Sequence, residues 1–418
     1  MYKGQETENL STADRTEQDI GERCLRCGAC AAHCRFLSRR GTPGALAAAH
    51  DADPAATRPL AFECSLCSLC KAVCPQKLDP PAMFLEWRQA AVRSGSADLS
   101  PYSGILAYER KGCSTRFSFY SLPRECDTVF FPGCTFAGTR PGITLKSLAY
   151  LRTRVPSAGI VLDCCTRPSH DLGRKDFFEA VFGEMADYLL SQGVTTIVTV
   201  CPSCHGMFAA HGRFRAVSLY EIMAEDPQMP HREDVPPVPP AARVVVQDPC
   251  RARHDTGVQA AVRSMAGTMG LPLEKGNGRL ALCCGEGAAA GCVRPDHAVA
   301  WTRKRKDSAG GRNALTYCAG CVNRLSGSGG HFHILDLVFD RERTLKGKAK
   351  VSTAPFTYLN RLRLKRKLTV LPAAVTRERP RLQALEGARP GSSFRNSVRL
   401  PVIGTLLGVA AACLAALV

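Results

Sequence analysis

Two stretches of this chain space four cysteines alike: Cys24, Cys27, Cys30 and Cys34, then Cys64, Cys67, Cys70 and Cys74. Gaps of two, two and three residues gather three sulfurs around one centre and leave the fourth to reach elsewhere. The chain holds 22 cysteines in 418 residues, grouped as C-x-x-C and Cys-Cys units. A disulfide framework spreads its cysteines differently, so metal ligation is the reading that fits. The N-terminal sequence MYKGQETENLSTADRTEQD has no apolar stretch. No secretory leader is expected, and the thiols should meet a reducing compartment.

Both runs match the bacterial ferredoxin pattern, in which three thiolates wrap one [4Fe–4S] cube and the fourth ligates the other. One cluster then takes Cys24, Cys27, Cys30 and Cys74, and the second takes Cys64, Cys67, Cys70 and Cys34. Cys74 is followed by Pro75, as that run usually is, and Cys34 by Arg35. The proline shapes a turn and ligates nothing, so the assignment survives its loss. Zinc ribbons use paired C-x-x-C units and match this spacing poorly.

Hydrophobic patterning divides the chain into five parts. Residues 1–20 are polar and expected to be disordered. Residues 21–112 form a small helical ferredoxin-like domain carrying both runs. From 113 to 340, short β-branched runs (DTVFF, GIVLD, TTIVTV, RVVVQ, NALTY) alternate with amphipathic stretches. That alternation predicts an α/β domain with parallel strands. A proline-rich stretch, 227–243, splits it into two similar repeats, about 127–226 and 243–340, which points to internal duplication. Residues 341–399 read as a basic linker. Residues 400–418 are an uncharged apolar run of about 28 Å as a helix, which predicts a single C-terminal transmembrane helix. The expected fold class is therefore α/β overall, with a helical module ahead of it and a membrane tail behind.

A second cysteine constellation recurs in the two repeats: Cys134, Cys164, Cys165, Cys201 and Cys204, then Cys250, Cys283, Cys284, Cys318 and Cys321. The intervals agree, 29 and 35 residues in the first copy against 32 and 33 in the second. The surrounding text (FPGC, DCC, CPSC, then QDPC, LCCGEG, YCAGC) resembles the cysteine-rich CCG domain family. That family occurs in heterodisulfide reductase catalytic subunits and in the iron–sulfur subunits of anaerobic glycerol-3-phosphate dehydrogenase, glycolate oxidase and lactate-utilisation enzymes. The resemblance covers about residues 20–340. It implies one or two further iron–sulfur clusters, noncubane [4Fe–4S] in heterodisulfide reductases, with zinc or a cubane cluster as alternatives. It also implies that the five cysteines of the second copy are catalytic. The first copy departs by reading Cys164-Cys165-Thr166 where glycine follows the pair in the family.

Cys113, Cys126, Cys292 and Cys413 lie outside both patterns and read as packing residues. His170, His205 and His254 lie near cysteine motifs, where a histidine can tune a cluster or relay a proton, and ordinary surface or packing roles are the expectation. Gly285, Gly287 and Gly291 match no nucleotide-binding run. No flavin or nicotinamide site is readable, so any flavin belongs to a partner. The formal net charge of +18 is concentrated, with 16 Lys/Arg against 3 Asp/Glu in residues 341–400. Few aromatics are interleaved there, so nucleic acid is not an expected partner. Basic residues ahead of a spanning helix predict a protein on the cytoplasmic face of the cell membrane, touching lipid.

The leading functional expectation is a membrane-anchored iron–sulfur oxidoreductase subunit of heterodisulfide reductase-like type, in which two [4Fe–4S] clusters feed CCG-domain clusters that react with a disulfide or quinone. An alternative is a relay subunit for a flavin-dependent hydroxy-acid or glycerol-3-phosphate dehydrogenase. Partners would be a flavoprotein dehydrogenase or other redox subunit, and a membrane quinone or haem-containing membrane subunit. A third reading is a non-enzymatic redox sensor or scaffold.

Overall fold

The computed structural model describes residues 12–230, 244–274, 276–326, 330–380 and 382. Its N-terminal part is helical. Helices Thr12–Arg23, Arg35–Arg40, Pro43–Ala52 and Pro80–Arg93 surround two cysteine loops. Phe36, Leu37, Leu46, Met83, Phe84 and Trp87 fill the space between them. Helix Pro80–Arg93 starts sharply because Asp79 accepts from the Ala82 amide and Pro80 occupies its first position.

The two loops have the same backbone twist. Arg26 and Leu66, each just before the second cysteine of its run, have φ of 50° and 45°. Gly28 and Ser68, each just after that cysteine, have φ of 77° and 59°. These left-handed turns curl each loop so that successive sulfurs face inward, which costs strain at the non-glycine positions.

Among the described residues the α/β part contains ten strands: β1 (Phe119–Leu122), β2 (Thr128–Phe131), β3 (Gly159–Leu162), β4 (Thr196–Thr199), β5 (Arg215–Ser218), β6 (Val244–Val246), β7 (Leu273–Glu274), β8 (Asn313–Thr316), β9 (His331–His333) and β10 (Val375–Arg377). They make a six-stranded sheet, β10-β1-β3-β2-β4-β5, and a four-stranded sheet, β7-β6-β8-β9. The segments β3-β2-β4-β5 and β7-β6-β8-β9 are wholly parallel and share one topology. Strands such as β2 and β3 are buried on both faces, which is why they read as continuous apolar runs.

One core joins the sheets, with Phe130 and Val198 of the first packed in the same cluster as Val246 and Leu315 of the second. Tyr220 reinforces the junction with its hydroxyl 2.7 Å from Val200 O and 3.2 Å from Tyr317 O. Arg140 Nε lies 2.9 Å from both carboxylate oxygens of Asp336, a buried ion pair between the halves.

Residues 341–399, read from sequence as a basic linker, contribute to the fold up to at least Arg379. Helix Phe356–Thr369 packs on helix Cys134–Thr139, where Asn360 donates to Gly138 O at 3.0 Å. Strand β10 then adds antiparallel to β1, itself antiparallel to β3.

Two expectations about the membrane are corrected. No helix among the described residues is long and apolar enough to cross a membrane. The predicted transmembrane helix, 400–418, lies outside the described residues, so that part of the fold class and the single-pass anchor at the cytoplasmic face are not supported. The last long helix described, Phe356–Thr369, reaches only about 21 Å and is rich in Arg and Lys. Two of its basic residues serve the fold: Arg361 is buried, and Lys365 donates to Thr115 O at 2.8 Å, while Arg363, Arg366 and Lys367 are exposed.

Candidate functional site

Each repeat brings its cysteines to the carboxyl ends of its parallel strands, where open α/β sheets build their sites. In the first copy Cys134 follows β2, Cys164 and Cys165 follow β3, and Cys201 follows β4. In the second, Cys250 follows β6, Cys283 and Cys284 come after β7, and Cys318 follows β8. Sequence-distant thiols therefore converge. Cys204 Sγ lies 3.4 Å from Cys165 Sγ and Cys204 also contacts Cys201, while Cys134 contacts Cys164. In the second copy Cys250 contacts Cys283, Cys283 contacts Cys284, and Cys321 contacts both Cys284 and Cys318.

Backbone demands accompany these contacts. Gly133 has φ +78° and stands so close that a Cβ would sit 3.0 Å from Cys204 Sγ. Gly285 has φ +105°, and Thr166, its counterpart after the first cysteine pair, has φ +50°. The threonine therefore keeps the left-handed turn that glycine supplies in the second copy. Two residues beyond each cysteine pair the copies carry opposite charges, Arg167 in the first and Glu286 in the second. Burial pushes the Glu286 carboxyl up to about 8, and Cys318 adds to the effect.

The N-terminal thiols fall into two groups. Cys24, Cys27, Cys30 and Cys74 line one cavity together with Cys70. Cys34, from the first run, instead lies within electrostatic reach of Cys64, Cys67 and Cys70. Cys70 and Cys30 also lie within reach of each other, so the two groups adjoin. The first group lies toward solvent, with Cys27 exposed, whereas Cys64, Cys67 and Cys70 are buried.

All four groups offer a donor set suited to iron–sulfur clusters. Burial pushes Cys64 and Cys67 up to about 12, and burial together with Cys24 pushes Cys30 up to about 11. Contact with Cys204 holds Cys201 down to about 7, and contact with Cys283 and Cys321 holds Cys284 down to about 6. Each lowered thiol raises its neighbour, so a crowded group can become fully ionised only when cationic metal neutralises it. Four or five soft thiolates around a water-poor centre suit clustered iron and exceed the needs of one tetrahedral zinc ion.

The groups form a series. Cys67, Cys34, Cys250 and Cys283 share one buried cluster, so the inner N-terminal group abuts the second-copy group. Buried arginines sew this junction. Arg88 donates to the carbonyls of Ala61, Cys64, Asp171 and Ala288, and Arg253 to those of Cys67 and Ala281. Arg251 donates to Leu66 O and pairs with Asp171, which also pairs with Arg167 of the first copy. Tyr220 lies within electrostatic reach of both Cys201 and Cys318, bridging the two copies. Beside Cys201 an open cleft is lined by His205, Tyr220, Arg251, His254 and Asp255. His205 Nδ1 is 3.1 Å from Thr199 Oγ1, and its Nε2 is 3.4 Å from Asp255 Oδ2. His170 lies elsewhere, 3.0 Å from Asp171.

Sequence reasoning missed these arginines because isolated basic residues carry no spacing signal. It also read Cys113 as packing, whereas its thiol contacts Cys164. Cys126 does pack, donating to Thr128 O at 3.2 Å.

Residues 20–78 match the 4Fe-4S dicluster domain and residues 128–209 match the cysteine-rich domain. A protein of Methanocaldococcus jannaschii named as an uncharacterized iron-sulfur protein is 21% identical over 252 residues, which cover 56% of this chain and 50% of that protein. The chain thus spans half the length of that relative. Together these matches fit a heterodisulfide reductase-like iron–sulfur protein, with two [4Fe–4S] clusters in the dicluster domain.

Proposed function

We propose that this iron–sulfur electron-transfer protein is an oxidoreductase subunit that accepts electrons at its exposed N-terminal group and delivers them to a small disulfide in the cleft beside Cys201. The ordering of the four thiol groups carries this reading. Electrons would arrive near Cys27, from a flavoprotein or another redox partner, and leave at the far end. The sequence-based expectation assigned catalysis to Cys250, Cys283, Cys284, Cys318 and Cys321. Their burial against the inner N-terminal group favours a relay role for that copy, with the reactive end in the first copy.

The ligands would be Cys24, Cys27, Cys30 and Cys74 for the outer cluster and Cys34, Cys64, Cys67 and Cys70 for the inner one. The five cysteines of each repeat would hold a further cluster. Bound clusters supply one-electron storage and transfer. The chain's own residues do the rest. Arg88, Arg251 and Arg253 fix positive charge beside the inner groups, which offsets the charge of the thiolates. In the cleft, Asp255 and the Thr199 hydroxyl flank the two ring nitrogens of His205 and hold its orientation. Reducing one disulfide to two thiols consumes two electrons and two protons; His205 would pass one proton, and water entering the open cleft would supply the other.

The test is anaerobic iron analysis of the full chain with electron paramagnetic resonance before and after a small disulfide is added. Clearly more than about eight iron per chain, with a disulfide-dependent signal that Cys201→Ala abolishes, is the expected result. In that variant dithionite should still reduce the N-terminal clusters. An iron content confined to about eight would sink the reading. The relay alternative, favoured by the exposure of Cys27, predicts reduction by a flavoprotein with no response to disulfides.

A further inference from the structure

We propose that Cys113 is a sixth thiolate of the first-copy site, so that the two repeats hold chemically different clusters. The inference rests on the reading above that the first copy binds iron. Cys113 ends helix Ser103–Gly112 and is fully buried. Its thiol touches that of Cys164, and Cys164 in turn touches Cys134. These three sulfurs form a row beside the Cys165, Cys204 and Cys201 contacts.

The backbone is pressed into the same spot. A Cβ on Gly112 would lie 3.2 Å from Cys164 Cβ and 3.4 Å from Arg361 Nη1. Any side chain at this position would push Cys164 or Arg361 aside by a few tenths of an ångström. Arg361 supplies a second, independent observation. It is 2% exposed, its Nη2 donates to Gly112 O at 3.2 Å, and its Nη1 is buried without a hydrogen-bond partner among the described residues. Its charge acts on Cys134. A buried guanidinium short of one partner, beside three contacting thiols, matches a site that carries extra negative charge when loaded.

Among the described residues, the further thiols beside the second copy are Cys34 and Cys67, which belong to the inner N-terminal group. The five thiols of the second copy are joined by the carboxyl of Glu286, and Cys292, the remaining cysteine of that half, packs near Tyr102 and Leu172. The repeats therefore differ by one thiolate.

The experiment loads the full chain with iron-57 under anaerobic conditions and compares Mössbauer and electron paramagnetic resonance spectra of wild type, Cys113→Ser, Cys113→Ala and Cys126→Ser. The component lost in Cys134→Ala defines the first-copy site. Expected is that both Cys113 variants reshape or remove that component while Cys126→Ser matches wild type. The N-terminal cluster signal reports folding in each sample, and if the serine variant fails to fold, the alanine variant carries the comparison. Wild-type spectra and iron content in the folded Cys113 variants would overturn this proposal and leave the functional reading intact. A wild type with only the about eight iron of the N-terminal clusters would overturn both.

Discussion

Thr166 and Gly285 occupy matching places after the two cysteine pairs, yet only one has the residue that its backbone favours. Thr166 is β-branched at φ +50°, fully buried, with a hydroxyl that finds no partner among the described residues. Replacing it with glycine should stabilise the protein by about 1 kcal/mol in urea unfolding, because strain and an unsatisfied hydroxyl are removed together. Gly285→Ala should do the opposite. Its Cβ would fall 2.6 Å from Ala298 O, so iron at the second copy should be lost, as read by iron analysis. Arg88→Met should cost about 3 kcal/mol or more, since carbonyls from three separate segments would lose a buried donor. At this scale the gathering of the cysteines was legible and the residues that support them were not. Cysteine spacing encodes a metal site directly, whereas Arg88 and Cys113 matter through contacts far away in sequence.

Among the elements, the parallel strands that carry cysteines were readable because burial on both faces makes them continuous apolar runs. Strand β1 escaped because its sequence, FYSL, breaks that pattern, and β10 because Val375 and Thr376 are exposed. What holds β10 in place is just beyond it. Arg379 donates to Asp163 at 2.9 Å and to Val181 O at 2.6 Å, and its amide donates to Ser118 Oγ. Asp163 is itself buried and accepts from Tyr120. Arg379→Met should therefore destabilise the chain by about 3–5 kcal/mol in chemical denaturation, since it leaves a carboxylate buried without its cation. Adding Asp163→Asn should recover part of that loss. The predicted basic linker failed for the same reason: composition shows where charge is plentiful, and only the fold shows which charges are paired.

At the scale of the whole molecule the described residues hold four sulfur groups in series, one core joining the two sheets and a smaller cluster joining the inner N-terminal group to the second copy. Removing metal should therefore affect more than the outer loops. Chelation of the loaded protein should lower its melting temperature by about 10 °C or more in scanning calorimetry, with the N-terminal helices unfolding first. An unchanged melting curve would mean that the crowded thiols are stable without iron. The direct contact of the N-terminal module with the second repeat could not be read from spacing, because it is made by packed side chains, arginines and backbone carbonyls far apart in sequence. The duplication itself was legible, since each repeat places cysteines after the same strands.

The late arrival of Arg361 and Arg379 also sets an order of events during synthesis. The cysteines of the outer and inner N-terminal groups are all present once residue 74 has been made, and the inner group gains its walls by Cys283, while the first-copy group, whose own cysteines end at Cys204, lacks its walls until the chain has emerged past Arg379. A ribosome must therefore add some 175 further residues before that pocket can close. Cofactor loading acquires a built-in timetable, with the N-terminal groups finished early and the first-copy group finished last.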